Sequence, residues 1–270
     1  MASTTKLFDL TGRTAIVTGG AGSLGSAVAK GLAAAGAKVA VADLKQENAD
    51  RVREEIVRAG GHATGIACDS TRESDVVSLF DKAESELGPV DILVNAVACP
   101  IARHHPQDMT LETFQGLQDG ILNCFFLTCR EAGRRMIAAK RPGSIVNFGS
   151  IGGENALGRG AMPYGVAKAG VGQLTRELAF AWAQHGIRVN AILPCQFMNS
   201  MWAAQMANPE TSELLKTVTR GIPMGRFGEP EEVVGPVIFL ASAAASMVTG
   251  VLLPVDGGNL AMNAGGSVDW

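Results

Sequence analysis

Seven short runs of β-branched and apolar residues, separated by segments with helical spacing, set the strongest limit on what this chain can become. The runs are Thr14–Thr18, Lys38–Asp43, His62–Ala67, Asp91–Asn95, Ser144–Phe148, Arg188–Leu193 and Val251–Val255. They are apolar at consecutive positions, the pattern of strands covered on both faces in a parallel sheet. Between them apolar residues return at helical intervals, as in Val28, Leu32 and Ala35, or Val52, Ile56 and Ala59. Strand and helix alternating throughout predict a doubly wound α/β sheet with right-handed crossovers. The 270 residues contain no repeat, low-complexity tract or Pro/Ser-rich linker. The expectation is one domain, residues 1–270, a common size for this class.

Charge and cysteine content narrow the function. Lys and Arg total 23 against 26 Asp and Glu, a net charge of −3. No basic face is implied, so neither nucleic acid nor an anionic membrane is an expected partner. Cys68, Cys99, Cys124, Cys129 and Cys195 form no C-x-x-C pair, and the opening MASTTKLFDLTGR lacks the apolar core of a signal peptide. A reduced, cytoplasmic setting is expected. Val233 to Val255 runs without a charge for long enough to span a bilayer, but its glycines, prolines and hydroxyls predict a buried helix followed by a buried strand. With four histidines in all and no carboxylate cluster beside His104-His105, no metal site is expected.

In such sheets ligands bind beyond the carboxyl ends of the strands. Directly after the first run comes Thr18-Gly-Gly-Ala-Gly-Ser-Leu-Gly25, which opens a helix. Glycines permit a tight turn there, and main-chain N–H groups at the positive helix end can meet a pyrophosphate. Asp43 closes the second run eighteen residues after Gly25, near the ~20 expected of an acid that accepts from a ribose 2′-hydroxyl. A carboxylate there repels a 2′-phosphate, so the expected cofactor is NAD; Lys45 nearby reads as a solvated lysine. Further on, Tyr164 and Lys168 stand at i and i+4 on one helix face. A free phenol titrates near pH 10, and an adjacent ammonium favours the phenolate and lowers that value. Tyr164 is the only tyrosine in the chain.

With Asp69, Asn95, Ser150, Arg188-Val-Asn-Ala-Ile192, Pro194, Ile222–Pro230 and Val255-Asp-Gly-Gly258, these motifs make the chain resemble a short-chain dehydrogenase/reductase of the compact, single-domain type. The likeness runs over nearly the whole length. It implies a Rossmann fold with a seven-stranded parallel sheet in the order 3-2-1-4-5-6-7, helices on both faces, usually assembled as a homotetramer. It also implies that Tyr164 is the general acid/base, that Lys168 binds the nicotinamide ribose and lowers the tyrosine pKa, and that Ser150 bonds the substrate oxygen. The cofactor-binding set carried over is Gly19, Gly22, Ser23, Leu24, Gly25, Asp43, Cys68, Asp69, Asn95, Tyr164, Lys168 and Pro194, with Asp69 read alternatively as a strand-end cap. The activity implied is NAD(H)-dependent interconversion of a secondary alcohol and a ketone.

The stretch around 195–220, with Phe197, Met198, Met201, Trp202 and Met206, is expected to form a substrate lid, followed by a tail at 259–270. His104, Glu154, Asn199 and Trp202 are the candidate substrate contacts, with Arg103, His105, Asn155 and Arg159 on the same loops. A small polar substrate is expected: a hydroxy acid, a polyol or a sugar derivative. Arg130, Arg134, Arg135, Lys140 and Arg141 read as an exposed helix face. Several positions depart from the resemblance. Ser23 stands where a glycine is usual, Asn95-Ala-Val-Ala98 replaces N-N-A-G, Cys195 follows Pro194 in place of Gly, and Ile121 falls where an asparagine normally supports a proton-relay water. Asn123 is two residues on, about 200° round a regular helix. Either the helix is locally irregular there and Asn123 substitutes, or the relay works differently, or activity is reduced. Ile121 and the altered Asn95 segment leave a catalytically weak NAD-binding homologue as one alternative reading; the other is a 3-oxoacyl-carrier reductase, which the C-terminal half resembles.

Overall fold

The computed structural model describes residues 4–100, 103–158 and 160–262; Arg159 and the tail beyond Met262 lie outside the described residues. After a single turn of helix, α1 (Thr4–Leu7), come β1 (Thr14–Thr18), α2 (Ser23–Ala34), β2 (Lys38–Asp43), α3 (Gln46–Arg58), β3 (His62–Ala67), α4 (Glu73–Leu87) and β4 (Ile92–Asn95). The chain continues through α5 (Leu111–Gln118), α6 (Cys124–Ala138), β5 (Gly143–Phe148), α7 (Met162–Trp182) and β6 (Ile187–Pro194). It closes with α8 (Ser200–Met206), α9 (Ser212–Arg220), α10 (Val234–Ala241) and β7 (Leu252–Val255). All seven strands run parallel, in the order 3-2-1-4-5-6-7.

Alternate side chains of each strand feed two apolar layers. Val17, Val39, Val41, Ile92, Val94 and Val146 turn toward α2, α3 and α10. Ile16, Ala40, Leu93, Ile145 and Val189 turn the other way, onto α4, α6 and α7. Each such valine, leucine or isoleucine removed from water contributes about 1.5–3 kcal/mol before the entropy of ordering is subtracted. Only the edges differ from the sequence expectation. His62 and Ala67 of β3 are exposed and β7 is mostly half-buried, because a terminal strand has a neighbour on one side only. The uncharged run from Val233 divides into α10, a turn and β7, and among the described residues no helix is long and apolar enough to cross a membrane.

Register sets the site. Thr18 pairs with both Ala42 and Asn95, and Asn95 pairs with Asn147, so β2, β1, β4 and β5 end level with one another. Their ends are tied by buried polar side chains. Asn95 Oδ1 accepts from Thr18 Oγ1 at 3.0 Å and Thr128 Oγ1 at 2.8 Å, while its Nδ2 donates to Asn147 Oδ1 at 3.0 Å. The Arg188-Val-Asn190 motif is structural too: Arg188 donates to the Leu240 and Ser242 carbonyls at the end of α10, where a cation offsets the helix dipole.

Candidate active site

The turn between β1 and α2 has a shape that only glycine allows. Gly19 has φ +64°, and a Cβ there would stand 2.7 Å from the Ala96 carbonyl oxygen. A side chain on Gly25 would run into the main chain of Gly19. Gly22 is the N-cap of α2, so the first N–H groups of that helix face outward at its positive end. Asp43 reaches this turn from the end of β2: its Oδ2 accepts from the Ala21 N–H at 3.2 Å, which sets the carboxylate on the lip of the cradle. Arg51, which sequence reasoning passed over, donates to the Ala21 carbonyl at 3.4 Å and to Glu55 at 2.9 Å. Ser23 also has a partner no motif announces, since its hydroxyl donates to the Met198 carbonyl at 3.0 Å, 175 residues away.

Other members of the expected cofactor set are occupied by structural work. The Asn95 side chain points into the polar network between strands, so only its main chain is left for a ligand. Asp69 Oδ1 accepts from the N–H and hydroxyl of Thr71 at 3.1 and 2.6 Å, and Oδ2 pairs with Arg72 at 3.3 Å. These bonds hold its carboxyl below the usual range, Thr71 first, and make it the cap of the turn into α4. Cys68 is buried, which pushes its thiol up to about 11 and leaves it inert. Pro194 is buried at the end of β6, opposite Val255.

Ser150, Tyr164 and Lys168 come together beyond β5. The turn 151–153 lies directly on the first turns of α7: a Cβ on Gly153 would be 2.7 Å from the Lys168 main chain, and one on Gly165 would be 3.0 Å from the Gly152 carbonyl. This close approach places the Ser150 hydroxyl beside the Tyr164 phenol, where it works to lower the phenol pKa. Burial acts more strongly in the opposite direction, so the Tyr164 phenol stands above its ordinary value. The ammonium does not offset this in the cofactor-free protein. Lys168 is 4% exposed, its Nζ donates to the Phe148 carbonyl at 2.6 Å, and it lies 5.9 Å from the centre of the Tyr164 ring. Burial lowers Lys168 itself to about 8. Without the cofactor, then, desolvation outweighs a charge aimed elsewhere, and the phenol stands above its ordinary value.

The helix before β5 is irregular, but not in a way that brings in Asn123. Residues Asp119–Asn123 form a π turn between α5 and α6. Ile121 is fully buried against Leu117, Phe125, Ala167 and Val171. Asn123 is exposed and donates to Asp119 Oδ1 at 2.6 Å, so its amide does not substitute at position 121. Two thiols stand close by instead. Cys99 donates to the Gly120 carbonyl at 3.1 Å, and Cys124 to the same oxygen at 3.2 Å.

Among the candidate substrate contacts, Trp202 packs edge-on against Phe227 at 5.0 Å and is buried with Val218 and Ile222, so it holds its own segment together. Asn199 caps α8 by accepting from the Trp202 N–H at 2.9 Å. Glu154 is exposed and its carboxylate turns along α7 toward Gly172, two helical turns past Tyr164. His104 is exposed, and its main-chain N–H donates to the Gly160 carbonyl at 3.4 Å. The basic stretch of α6 is not uniformly exposed: Arg135 bridges Asp81, Glu84 and Glu131 with 17% of its side chain exposed. Among the described residues no group of three or more His, Cys, Asp or Glu could hold a metal ion.

Residues 19–259 match the family described as enoyl-(acyl carrier protein) reductase. The chain belongs to the short-chain dehydrogenase/reductase family. It is 39% identical over 253 residues to 3beta-hydroxysteroid dehydrogenase 1 of Eggerthella lenta, covering 93% of this chain and 94% of that one. It is also 39% identical over 260 residues to galactitol 2-dehydrogenase of Rhizobium johnstonii, covering 93% and 96%. Among solved structures, a gluconate 5-dehydrogenase from Burkholderia cenocepacia J2315, in complex with NADP and tartrate, superposes with a TM-score of 0.88 at 31% identity, covering 97% of this short-chain dehydrogenase/reductase and all of that chain.

Proposed function

We propose that this protein is an NAD-dependent dehydrogenase that interconverts a secondary alcohol and a ketone, acting on a small polar substrate such as a polyol, a sugar derivative or a hydroxy acid. The observation that carries the reading is the convergence of Ser150, Tyr164 and Lys168 beside a glycine turn on the same end of the sheet. The turn fits a nicotinamide dinucleotide, since Gly19 gives up its Cβ where a pyrophosphate needs the main chain, and Asp43 waits at the ribose position. Bound there, the nicotinamide supplies the acceptor or donor of the hydride. Lys168, held in place by the Phe148 carbonyl, offers its remaining N–H groups to the ribose hydroxyls. Ser150 donates to the reacting oxygen of the substrate, and Tyr164 takes the proton from the alcohol or returns it to the ketone.

The preference for NAD rests on Asp43, whose carboxylate would lie against a 2′-phosphate and repel it. Arg51, beside the same turn, has part of its charge offset by its pair with Glu55 at 2.9 Å. The polar substrate is supported by relatives named for galactitol and for gluconate. Residues 195–220 would act as a lid, rooted by the Met198 N–H on the Gly228 carbonyl at 2.8 Å. The test is turnover of polyols and aldonic acids with NAD and with NADP at equal concentration. NAD should be used at least tenfold better, and Asp43→Ala should narrow the ratio; equal use of both by the unaltered protein contradicts the assignment.

A second reading, a cofactor-binding protein with weak turnover, is favoured by the buried Ile121 and the outward-facing Asn123. NAD binding without oxidation of any of these alcohols would support it.

A further inference from the structure

Three features of the α5–α6 junction have no role in the proposed chemistry: a π turn, a glycine inside it and two thiols upon that glycine. In the turn, the Cys124 N–H donates to the carbonyls of Asp119 and Ile121 and passes over Gly120. A carbonyl skipped in this way needs another donor. The Gly120 oxygen accepts from Cys99 Sγ at 3.1 Å and from Cys124 Sγ at 3.2 Å. Cys124 divides itself, since it also donates to Ile121 at 3.1 Å, whereas Cys99 gives its one proton to Gly120 alone. The contact is close enough that a Cβ on Gly120 would run into the Cys99 sulfur.

We infer that Cys99 is a positioning residue, its thiol clamping the loop after β4 onto the π turn that backs Lys168. The inference rests on the reading of Tyr164 and Lys168 as an acid–base pair. The π turn packs on the helix face that carries that pair: Ile121 and Phe125 lie against Ala167 and Val171, with Tyr164 and Cys99 at the margin of the same cluster. Lys168 Nζ sits 4.8 Å from the Phe125 ring centre, so a shift of the turn moves the wall against which the ammonium is held. Gln118 Nε2, one residue before the turn, donates to the Pro163 carbonyl at 2.9 Å and ties the same junction to the residue preceding Tyr164. Burial raises both thiols, so each is a neutral S–H donor at physiological pH. Position 121 carries no amide, and Cys99 instead provides the link between the β4 loop and this turn.

Tyr164 is the only tyrosine, so its ionisation can be followed as tyrosinate absorbance in the NAD complex without any substrate. Lys168→Ala should raise the midpoint of that complex. Cys99→Ala should raise it by about one pH unit and lower kcat/KM roughly tenfold at neutral pH, with kcat falling and the KM for NAD little changed. Cys99→Ser, which keeps a donor, should restore both. Gly120→Ala, whose methyl displaces the sulfur, should do at least as much harm as Cys99→Ala. Adding Cys99→Ala to it frees the space, and the double variant should return to the level of Cys99→Ala alone. If Lys168→Ala moves the midpoint and Cys99→Ala does not, the role of Cys99 is overturned. A harmless Gly120→Ala overturns it as well. If Lys168→Ala leaves the midpoint in place, the acid–base reading itself falls.

Discussion

Lys168 is a cation that the fold buries at a cost. In the unfolded chain it titrates near 10.5, and in the fold near 8. Between those values the unfolded chain holds the extra proton, so stability rises with pH across that window, and the full cost applies below it. Lys168→Met should therefore stabilise the cofactor-free protein at pH 7, by up to about 3 kcal/mol. The gain should fade as the pH approaches about 10.5, which urea unfolding at both values would read. A midpoint unchanged at pH 7 contradicts this account. Tyr164 shifts the other way, because burial favours the neutral phenol. Alcohol oxidation needs the phenolate, so its rate should rise with pH, and ketone reduction should be favoured as pH falls. An oxidation rate that falls as the pH rises through neutrality would contradict the assignment. The pair itself was legible in the spacing of Tyr164 and Lys168. The direction of the tyrosine shift was not, because it depends on how deeply the ring is buried and on the Phe148 carbonyl that holds Nζ.

Elements built from continuous apolar runs could be read to within a residue or so, as β1 and β2 were, because a strand covered on both faces has few polar positions to confuse its limits. The π turn could not. The sequence offers an irregular helix there only as one of three alternatives, with Asn123 substituting at position 121; the π turn instead leaves Ile121 buried and Asn123 outside. Asn199 and Trp202 show the same limit: both were expected to face substrate, and the structure uses one to cap α8 and the other to fill the space beneath it. That arrangement is testable. Asn199→Ala should cost α8 about 1 kcal/mol and speed proteolytic cleavage within 195–220, with the KM for alcohol rising; Asn199→Asp should restore both. Unchanged cleavage would show that the cap does not set the order of this segment. Ser23, at the opposite margin, holds Met198, and Ser23→Gly should loosen the same segment without altering the glycine turn.

At the scale of the whole molecule, the two apolar layers follow from patterning, whereas the order of the strands and the assembly were implied only by the family resemblance. Phe180 on α7 is 88% exposed and Phe126 on α6 is 42% exposed, apolar surface a second copy of the chain would cover. The protein should sediment as a homo-oligomer, and Phe180→Glu should yield a smaller species; a monomer at micromolar concentration in the unaltered protein contradicts this. Fold, glycine turn and catalytic cluster meet in one claim, that Tyr164 moves the proton while hydride is exchanged beside it. The most direct test is kcat/KM for the best alcohol in Tyr164→Phe, which keeps the ring and removes only the hydroxyl. The account predicts a loss of about 10²–10⁴-fold with NAD binding retained. Turnover equal to that of the unaltered protein would mean that another group carries the proton, and the claim would fail.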